Sequence, residues 1–377
     1  MTPNRELADI EEKVRDGTRI DADDCIRLYA SSDLLAIGRM ANLVRERLHG
    51  DRTYYIVNRH INYTNVCVNR CDLCAFQRSE GEPGAYTMSL SEILETAKAA
   101  AQDGITELHI VGGCHPELPY EYYQSMLAAL HAALPDVHLQ AFTAVEIAHL
   151  ASMASMSTKD VLQDLQQAGL GSLPGGGAEI FADRVRQLIC SKKLRGDEWL
   201  RIHKEAHELG MHTNATMLYG HVETYEERVD HLERLRAAQD EMGGPDPFGA
   251  ARPAPPGVRG GFQSFIPLAF HPENTRIAQG QFTTGFDDLK NIAIGRIFLD
   301  NFPHIKSFWI MQGLKIAQVS LSFGADDLNG TVAEERITHE AGATTPQALA
   351  ENQLVTLIRE AGRTPVERDT VYNVIEG

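Results

Sequence analysis

The strongest constraint on the fold of this chain is an alternation that begins near residue 53. Short apolar, β-rich segments are followed by amphipathic helical stretches, unit after unit. The strand candidates are residues 53–57, 107–111, 138–143, 170–173, 212–218, 263–268 and 308–311, with a further one near 317–320. Between them lie helices with start and stop signals. Ser89 with Glu92 opens a run that stops at Gly104, and Thr224 with Glu227 opens one that stops at Gly243. Ser157 with Asp160 repeats the theme up to Gly169, and Thr345 before Pro346 starts a helix that Gly362 closes. In each case a hydroxyl pairs orphan amides of the first turn, and glycine accepts the left-handed exit. Seven or eight β/α units in series predict an α/β fold, a (β/α)8-type barrel, complete or partial. An open doubly wound sheet is the competitor, but no G-x-G-x-x-G follows the first strand.

Residues 1–50 read as a helical extension ahead of the first strand, and 51–377 as the barrel with C-terminal helices. Residues 243–261 hold six glycines and five prolines, too little apolar surface to offset ordering, and read as a flexible surface insertion. Of 377 residues, 35 are Lys or Arg and 52 Asp or Glu, a net charge of −17. Such a surface repels phosphate backbones and anionic lipid, so binding to nucleic acid or membrane by bulk charge is not expected. No apolar run approaches the ~20 residues of a spanning helix, and no signal peptide is recognisable, so a cytoplasmic location is expected.

Three of the six cysteines, Cys67, Cys71 and Cys74, fall in a C-x3-C-x2-C spacing. They follow the first strand, which in a barrel puts them at the C-terminal mouth where active sites assemble. Three thiolates can hold three corners of a 4Fe–4S cluster and leave one iron open to substrate, whereas an electron-transfer cluster normally uses four. A zinc site completed by Cys114 or His115, or an electron-transfer cluster closed by Cys114, would use the same thiols. Further candidates lie at later strand ends. Gly112 and Gly113 end the second strand, where backbone can approach a ligand closely. Glu146 follows the third strand, and Glu179 follows the glycine run 175–177 after the fourth, where it could accept ribose hydroxyls. His60 and His271 occupy loop positions of the same face, and Arg59, Arg78 and Arg296 are the cations best placed to answer a carboxylate.

The triplet at the first loop of a β/α barrel resembles that of the radical S-adenosylmethionine (SAM) enzymes. The strings HINYTNVCVNRCDLCAF (60–76), SLPGGGAEIFADRVR (172–186) and FGADDLNGTVAEERI (323–337) narrow the likeness to the aminodeoxyfutalosine synthase family, over roughly residues 50–372. That resemblance implies a 4Fe–4S cluster on Cys67, Cys71 and Cys74. It also implies SAM contacts from Gly112, Gly113, Glu146 and Glu179. The residue before the third cysteine is often aromatic in the superfamily and is Leu73 here, so Phe76 is expected to take over part of the adenine contact. The implied reaction adds the 5′-deoxyadenosyl group of SAM to 3-[(1-carboxyvinyl)oxy]benzoate. Its products are 6-amino-6-deoxyfutalosine, methionine and the lost carboxylate, on a route to menaquinone. An electron donor such as flavodoxin or ferredoxin is implied as partner. Sister enzymes such as dehypoxanthine futalosine cyclase share the barrel and the triplet.

Overall fold

The computed structural model describes residues 6–243, 260–277 and 282–375. Three helices come first, α1 (Ala8–Asp16), α2 (Ala22–Ala30) and α3 (Leu34–His49). The first strand is split into β1 (Arg52–Ile56) and β2 (Asn58–Ile61). There follow α4 (Leu90–Ala101), β3 (Glu107–Ile110), α5 (Tyr120–Ala133), β4 (His138–Ala141), α6 (Ala144–Ala154), α7 (Thr158–Gln167), α8 (Asp183–Ile189) and α9 (Gly196–Glu208). Next are β5 (His212–Tyr219), α10 (Tyr225–Met242), β6 (Gly261–Ala269), α11 (Gly285–Phe298) and β7 (His304–Ile305). The remainder comprises α12 (Trp309–Gln312), α13 (Leu314–Ser320), β8 (Asp327–Gly330), α14 (Ile337–Glu340), α15 (Glu351–Glu360) and β9 (Thr364–Glu367).

Every strand pairing is parallel. The ladders run β8–β1, β2–β3–β4 and β5–β6–β7. Single bridges join them: Gln140 to Ser172, Leu173 to Thr213, Lys306 to Asp327 and Arg59 to Ala333. The bridges close the ring, with residues 172–173 standing in the fourth position, so the barrel is complete. β9 adds to the lower half of the first strand, pairing Arg52–Tyr55 with Thr364–Glu367, below the point where β2 takes up β3. The N-terminal helices pack on the outer layer. Tyr29 donates to Asn291 at 3.0 Å, and the Lys290 ammonium donates to the carbonyls of Tyr29 and Ser31.

The side chains obey the two-residue period of a strand. Leu108, Ile110 and Leu139 face the helices and are fully buried. The opposite parity points into the lumen and is polar. Asn58 donates to Glu107 at 2.9 Å, His60 stacks on His109, His109 meets Gln140 at 3.2 Å, and Asn214 accepts from Ser264 at 2.7 Å.

Most expected helix starts are present as expected. Ser89/Glu92 and Thr224/Glu227 form reciprocal caps, and Ser157 receives the Asp160 amide. α10 exits on Gly243 at φ 77°, and residues 244–259 of the glycine-proline stretch lie outside the described residues. Four expectations fail. The apolar run 308–311 is helical, because a four-residue run carries no period and the Trp309 indole is drawn across to the Gly330 carbonyl at 2.8 Å. Residues 317–320 belong to α13. Residues 170–173 make only single bridges. Thr345 does not cap a helix: its hydroxyl donates to the Ile310 carbonyl, and α15 starts six residues later. The split of the first strand also has a local cause, since the Asn58 amide donates to the Thr331 hydroxyl instead of continuing the ladder.

Candidate active site

The cysteines lie on the long loop that leaves the C-terminal end of β2. The loop is pinned by its own backbone. Cys67 N–H donates to Arg78 O at 3.1 Å, Arg78 N–H to Asn65 O at 2.8 Å, and Cys74 N–H to Cys71 O at 3.1 Å. The Arg78 guanidinium turns inward on the loop and donates to the carbonyls of Ala75 and Gln77 at 2.7 and 2.9 Å. Asp72 N–H reaches Ile189 O at 2.9 Å, so the end of α8 packs against the loop. Cys71 is buried, Cys67 and Cys74 are half-buried, and all three thiols are free.

The thiols are electrostatically unequal. The Cys114 thiol hydrogen-bonds Cys67 and lowers it to about 5 against its burial. Burial pushes Cys71 up to about 12 and raises Cys74 as well. The Lys193 ammonium faces all three and favours their thiolate forms. Burial works against the charge of Lys193, and its ion pair with Glu179 more than offsets that.

This donor set fits a multinuclear cluster better than a single zinc. Among the described residues, only His49, His304 and Asp326 form a trio whose ligand atoms all lie within 4.8 Å of one another. The three thiols therefore do not all lie within that distance of one another, whereas tetrahedral zinc at ~2.3 Å from each sulfur needs every pair about 4 Å apart. The His49 trio is already satisfied. Asp326 accepts from Ile305 N–H at 2.8 Å and His304 at 2.6 Å and pairs with Arg296, while His49 Nε2 donates to Pro303 O.

Beside the cysteines, the second loop is forced to be glycine. A Cβ on Gly113 would sit 2.2 Å from the Val66 carbonyl, and one on Gly112 would sit 2.7 Å from the Tyr63 ring. Gly113 N–H donates to Thr64 O and Gly112 N–H to Glu146, while neither glycine carbonyl accepts a bond within the described residues. Both carbonyls are thus available to an ammonium group. Glu146 is the third residue of α6 and reciprocates the Thr143 cap. Its buried carboxylate accepts from the Tyr63 hydroxyl at 2.7 Å, the Gly112 amide at 3.0 Å and the Thr143 amide at 2.7 Å. Glu146 thereby ties the first, second and third loops together. Glu179 sits at φ 48° and is committed to Lys193.

The remaining candidates scatter. Phe76 is buried edge-on to Tyr86 under the cysteine loop. His60 is buried in the lumen, and His271 donates Nε2 to Met311 O at 2.9 Å near the mouth. Arg59 is paired with Glu334 at 2.7 Å, and Arg78 is occupied as described. Arg296 is not in the site. It is 0% exposed, on α11, paired with Asp326 and bonded to Gly324 O at the opposite, N-terminal end of the strands. Two cations that face the interior escaped notice in the sequence, Lys193 and Lys306. Lys306 had a visible signal, a lone lysine inside the apolar stretch 302–310.

Comparison with known proteins fits this geometry. The description "Radical SAM superfamily" matches residues 61–235, and "CofH/MqnC C-terminal region" matches 259–376. The aminodeoxyfutalosine synthase of Thermus thermophilus is 47% identical over 98% of this chain and 96% of its own length. That of Streptomyces coelicolor is 46% identical over 97% and 93%. This chain belongs to the aminodeoxyfutalosine synthase family. The crystal structure of methylornithine synthase (PylB) superposes with a TM-score of 0.72 at 16% identity, over 94% of this chain and 97% of that one, and so shares the fold. As a radical SAM enzyme, this aminodeoxyfutalosine synthase family member uses a 4Fe–4S cluster and SAM. No described helix is long and apolar enough to cross a membrane.

Proposed function

We propose that the enzyme transfers the 5′-deoxyadenosyl group of SAM to the vinyl carbon of 3-[(1-carboxyvinyl)oxy]benzoate. The products are 6-amino-6-deoxyfutalosine, methionine and the departed carboxylate, in menaquinone biosynthesis. The observation that carries this reading is the 46–47% identity, over nearly the full chain, to two aminodeoxyfutalosine synthases, in a barrel whose mouth holds the cysteine triplet. When bound, the cluster supplies the electron and the open iron at which SAM is cleaved.

The chain's own residues bind and orient. Cys67, Cys71 and Cys74 hold the cluster, with Cys67 the thiol closest to thiolate at neutral pH. The carbonyls of Gly112 and Gly113 receive the methionine ammonium, held in place by Glu146 from behind. The half-buried Lys193, paired with the buried Glu179, lies against the thiols, and its ammonium favours their thiolate forms. Phe76 supports the adenine side of the loop, and His60 and His271 face the organic substrate. The electron comes from a small carrier protein such as a flavodoxin or ferredoxin.

The test is anaerobic. The cluster is reconstituted and reduced, SAM and the carboxyvinyloxybenzoate are supplied, and products are read by mass spectrometry. An adenosyl adduct appearing with methionine supports the reading. Free 5′-deoxyadenosine without adduct would favour a sister activity, the second reading, which the CofH/MqnC match at the C-terminal end keeps open. An intact cluster with no SAM cleavage under strong reduction would reject both.

A further inference from the structure

Cys114 is a thiol beside the cluster ligands that the proposed chemistry leaves without a task. It follows the glycine pair directly, so the close approach of the second loop to the cysteine loop sets its position. The Val68 amide donates to the Cys114 carbonyl at 3.0 Å, and the Gly113 amide donates to the Thr64 carbonyl at 2.8 Å. No side chain stands between the two loops there, since a Cβ on Gly113 would sit 3.0 Å from the Cys67 Cβ. Across that gap the Cys67 and Cys114 side chains are in hydrogen-bond contact. Asn69, two residues beyond Cys67, holds the second sulfur in place by donating Nδ2 to Cys114 Sγ at 3.3 Å. Cys114 is 3% exposed, whereas Cys67 is half-buried.

Thiols in contact need only side-chain rotation to reach the ~2.05 Å of an S–S bond. A small oxidant reaches Cys67 first, because Cys114 is shielded from solvent. In a first step, the Cys67 thiol and hydrogen peroxide give a sulfenic acid and water. In a second, the Cys114 sulfur attacks the sulfenic sulfur and the S–S bond forms. The hydroxyl then leaves as a second water with the Cys114 proton. Two thiols give up two electrons, and one peroxide takes them.

We propose that Cys67 and Cys114 are a redox pair, joined by peroxide into a reversible disulfide in the chain that has yet to receive its cluster. Cys114 thereby spares a cluster ligand the irreversible step to sulfinic acid, and a dithiol returns both thiols. The pair itself rests on the geometry of the two loops. Its benefit to the enzyme rests on Cys67 being a cluster ligand, as proposed above.

The experiment treats the full-length, iron-free protein with hydrogen peroxide, alkylates it and digests it with trypsin without reduction. Cleavage at Arg59, Arg70, Arg78, Lys98 and Lys159 puts Cys67 in peptide 60–70, Cys71 and Cys74 in 71–78, and Cys114 in 99–159. The expected product is 60–70 joined to 99–159, with two of the six free thiols lost. Joining of 60–70 to 71–78, or of 71–78 to the Cys190 peptide 187–192, as the main product would overturn the pair. A second arm applies excess peroxide, then dithiothreitol, then iron and sulfide. Wild type is expected to regain its cluster absorbance, and Cys114→Ala to regain about tenfold less than its own untreated sample, with two oxygens added to peptide 60–70. Equal recovery with no added oxygen in the variant would overturn the protective role. Added oxygen on 60–70 with full cluster recovery would instead reject Cys67 as a ligand. The wild-type peptide map decides the pair even where Cys114→Ala does not fold.

Discussion

At the scale of single residues, the site depends on a few groups whose partners are on other loops. Replacing Cys67, Cys71 or Cys74 by Ala should abolish cluster binding, read as loss of iron and of the visible absorbance, together with loss of SAM cleavage. Glu146 is a subtler case. Its carboxylate holds a hydroxyl and two amides from three loops, and a buried acceptor of that kind is worth ~2–3 kcal/mol when its donors lose it. Glu146→Ala is expected to lower stability by about that amount and to weaken SAM binding, measured by calorimetry on the reconstituted protein. Binding at wild-type strength would show that the glycine carbonyls are positioned without it. Arg296 is expected to behave in the opposite way. Arg296→Met leaves the Asp326 carboxylate buried without its cation, a loss of about 3–5 kcal/mol in stability with no selective rise in KM. The sequence shows the residue types at the mouth because the cysteine spacing is local. It does not show that Arg296 turns to the far end of the barrel, because that depends on Asp326, the neighbour in space that holds the opposite charge.

At the scale of elements, the helix starts are readable because a cap is a contact between residues three apart. Strands are less so. β8 is polar, and its first acid finds Arg368 some forty residues later in the chain. β7 is only two residues long. The loop between β5 and α10 illustrates how an element end is secured electrostatically. Glu223 accepts from the Gly220 and His221 amides at 2.6 and 2.9 Å and pairs with Arg228 at 2.7 Å. Burial works to raise Glu223, but His221 and Arg228 outweigh it and hold the acid down to about 2, from 4.5. A depressed carboxylate stabilises the fold above its unfolded pKa and loses that contribution as pH falls through its folded one. Glu223→Gln is therefore expected to cost about 3 kcal/mol at pH 7. The difference from wild type should vanish as pH falls from 4.5 towards 2, in denaturant titrations of the cluster-free protein. A pH-independent gap would mean that Glu223 acts by shape and not by charge.

At the scale of the whole molecule, a net charge of −17 should slow the approach of an acidic electron carrier, so the cations beside the cysteine loop would matter most to it. Arg70 on that loop and Lys192 after α8 are exposed and make no ion pair among the described residues. Beside them, Val68 and Leu188 are exposed at 39% and 54%, on segments joined by the Asp72–Ile189 hydrogen bond. If the electron carrier proposed above docks over the cysteine loop, Arg70 and Lys192 are cations that it would meet. Charge of this kind sets encounter rate more than final affinity. The double variant Arg70→Glu, Lys192→Glu is expected to slow flavodoxin-driven SAM cleavage about tenfold at low salt, and to leave dithionite-driven cleavage unchanged, because a small reductant needs no docking. Raising ionic strength should slow the wild type with flavodoxin and narrow the gap between the two proteins, since exposed charges beyond a Debye length of ~8–10 Å are screened. Equal rates with flavodoxin in wild type and variant would place electron entry elsewhere on the barrel. A matching loss with dithionite would instead locate the damage in the cysteine loop itself.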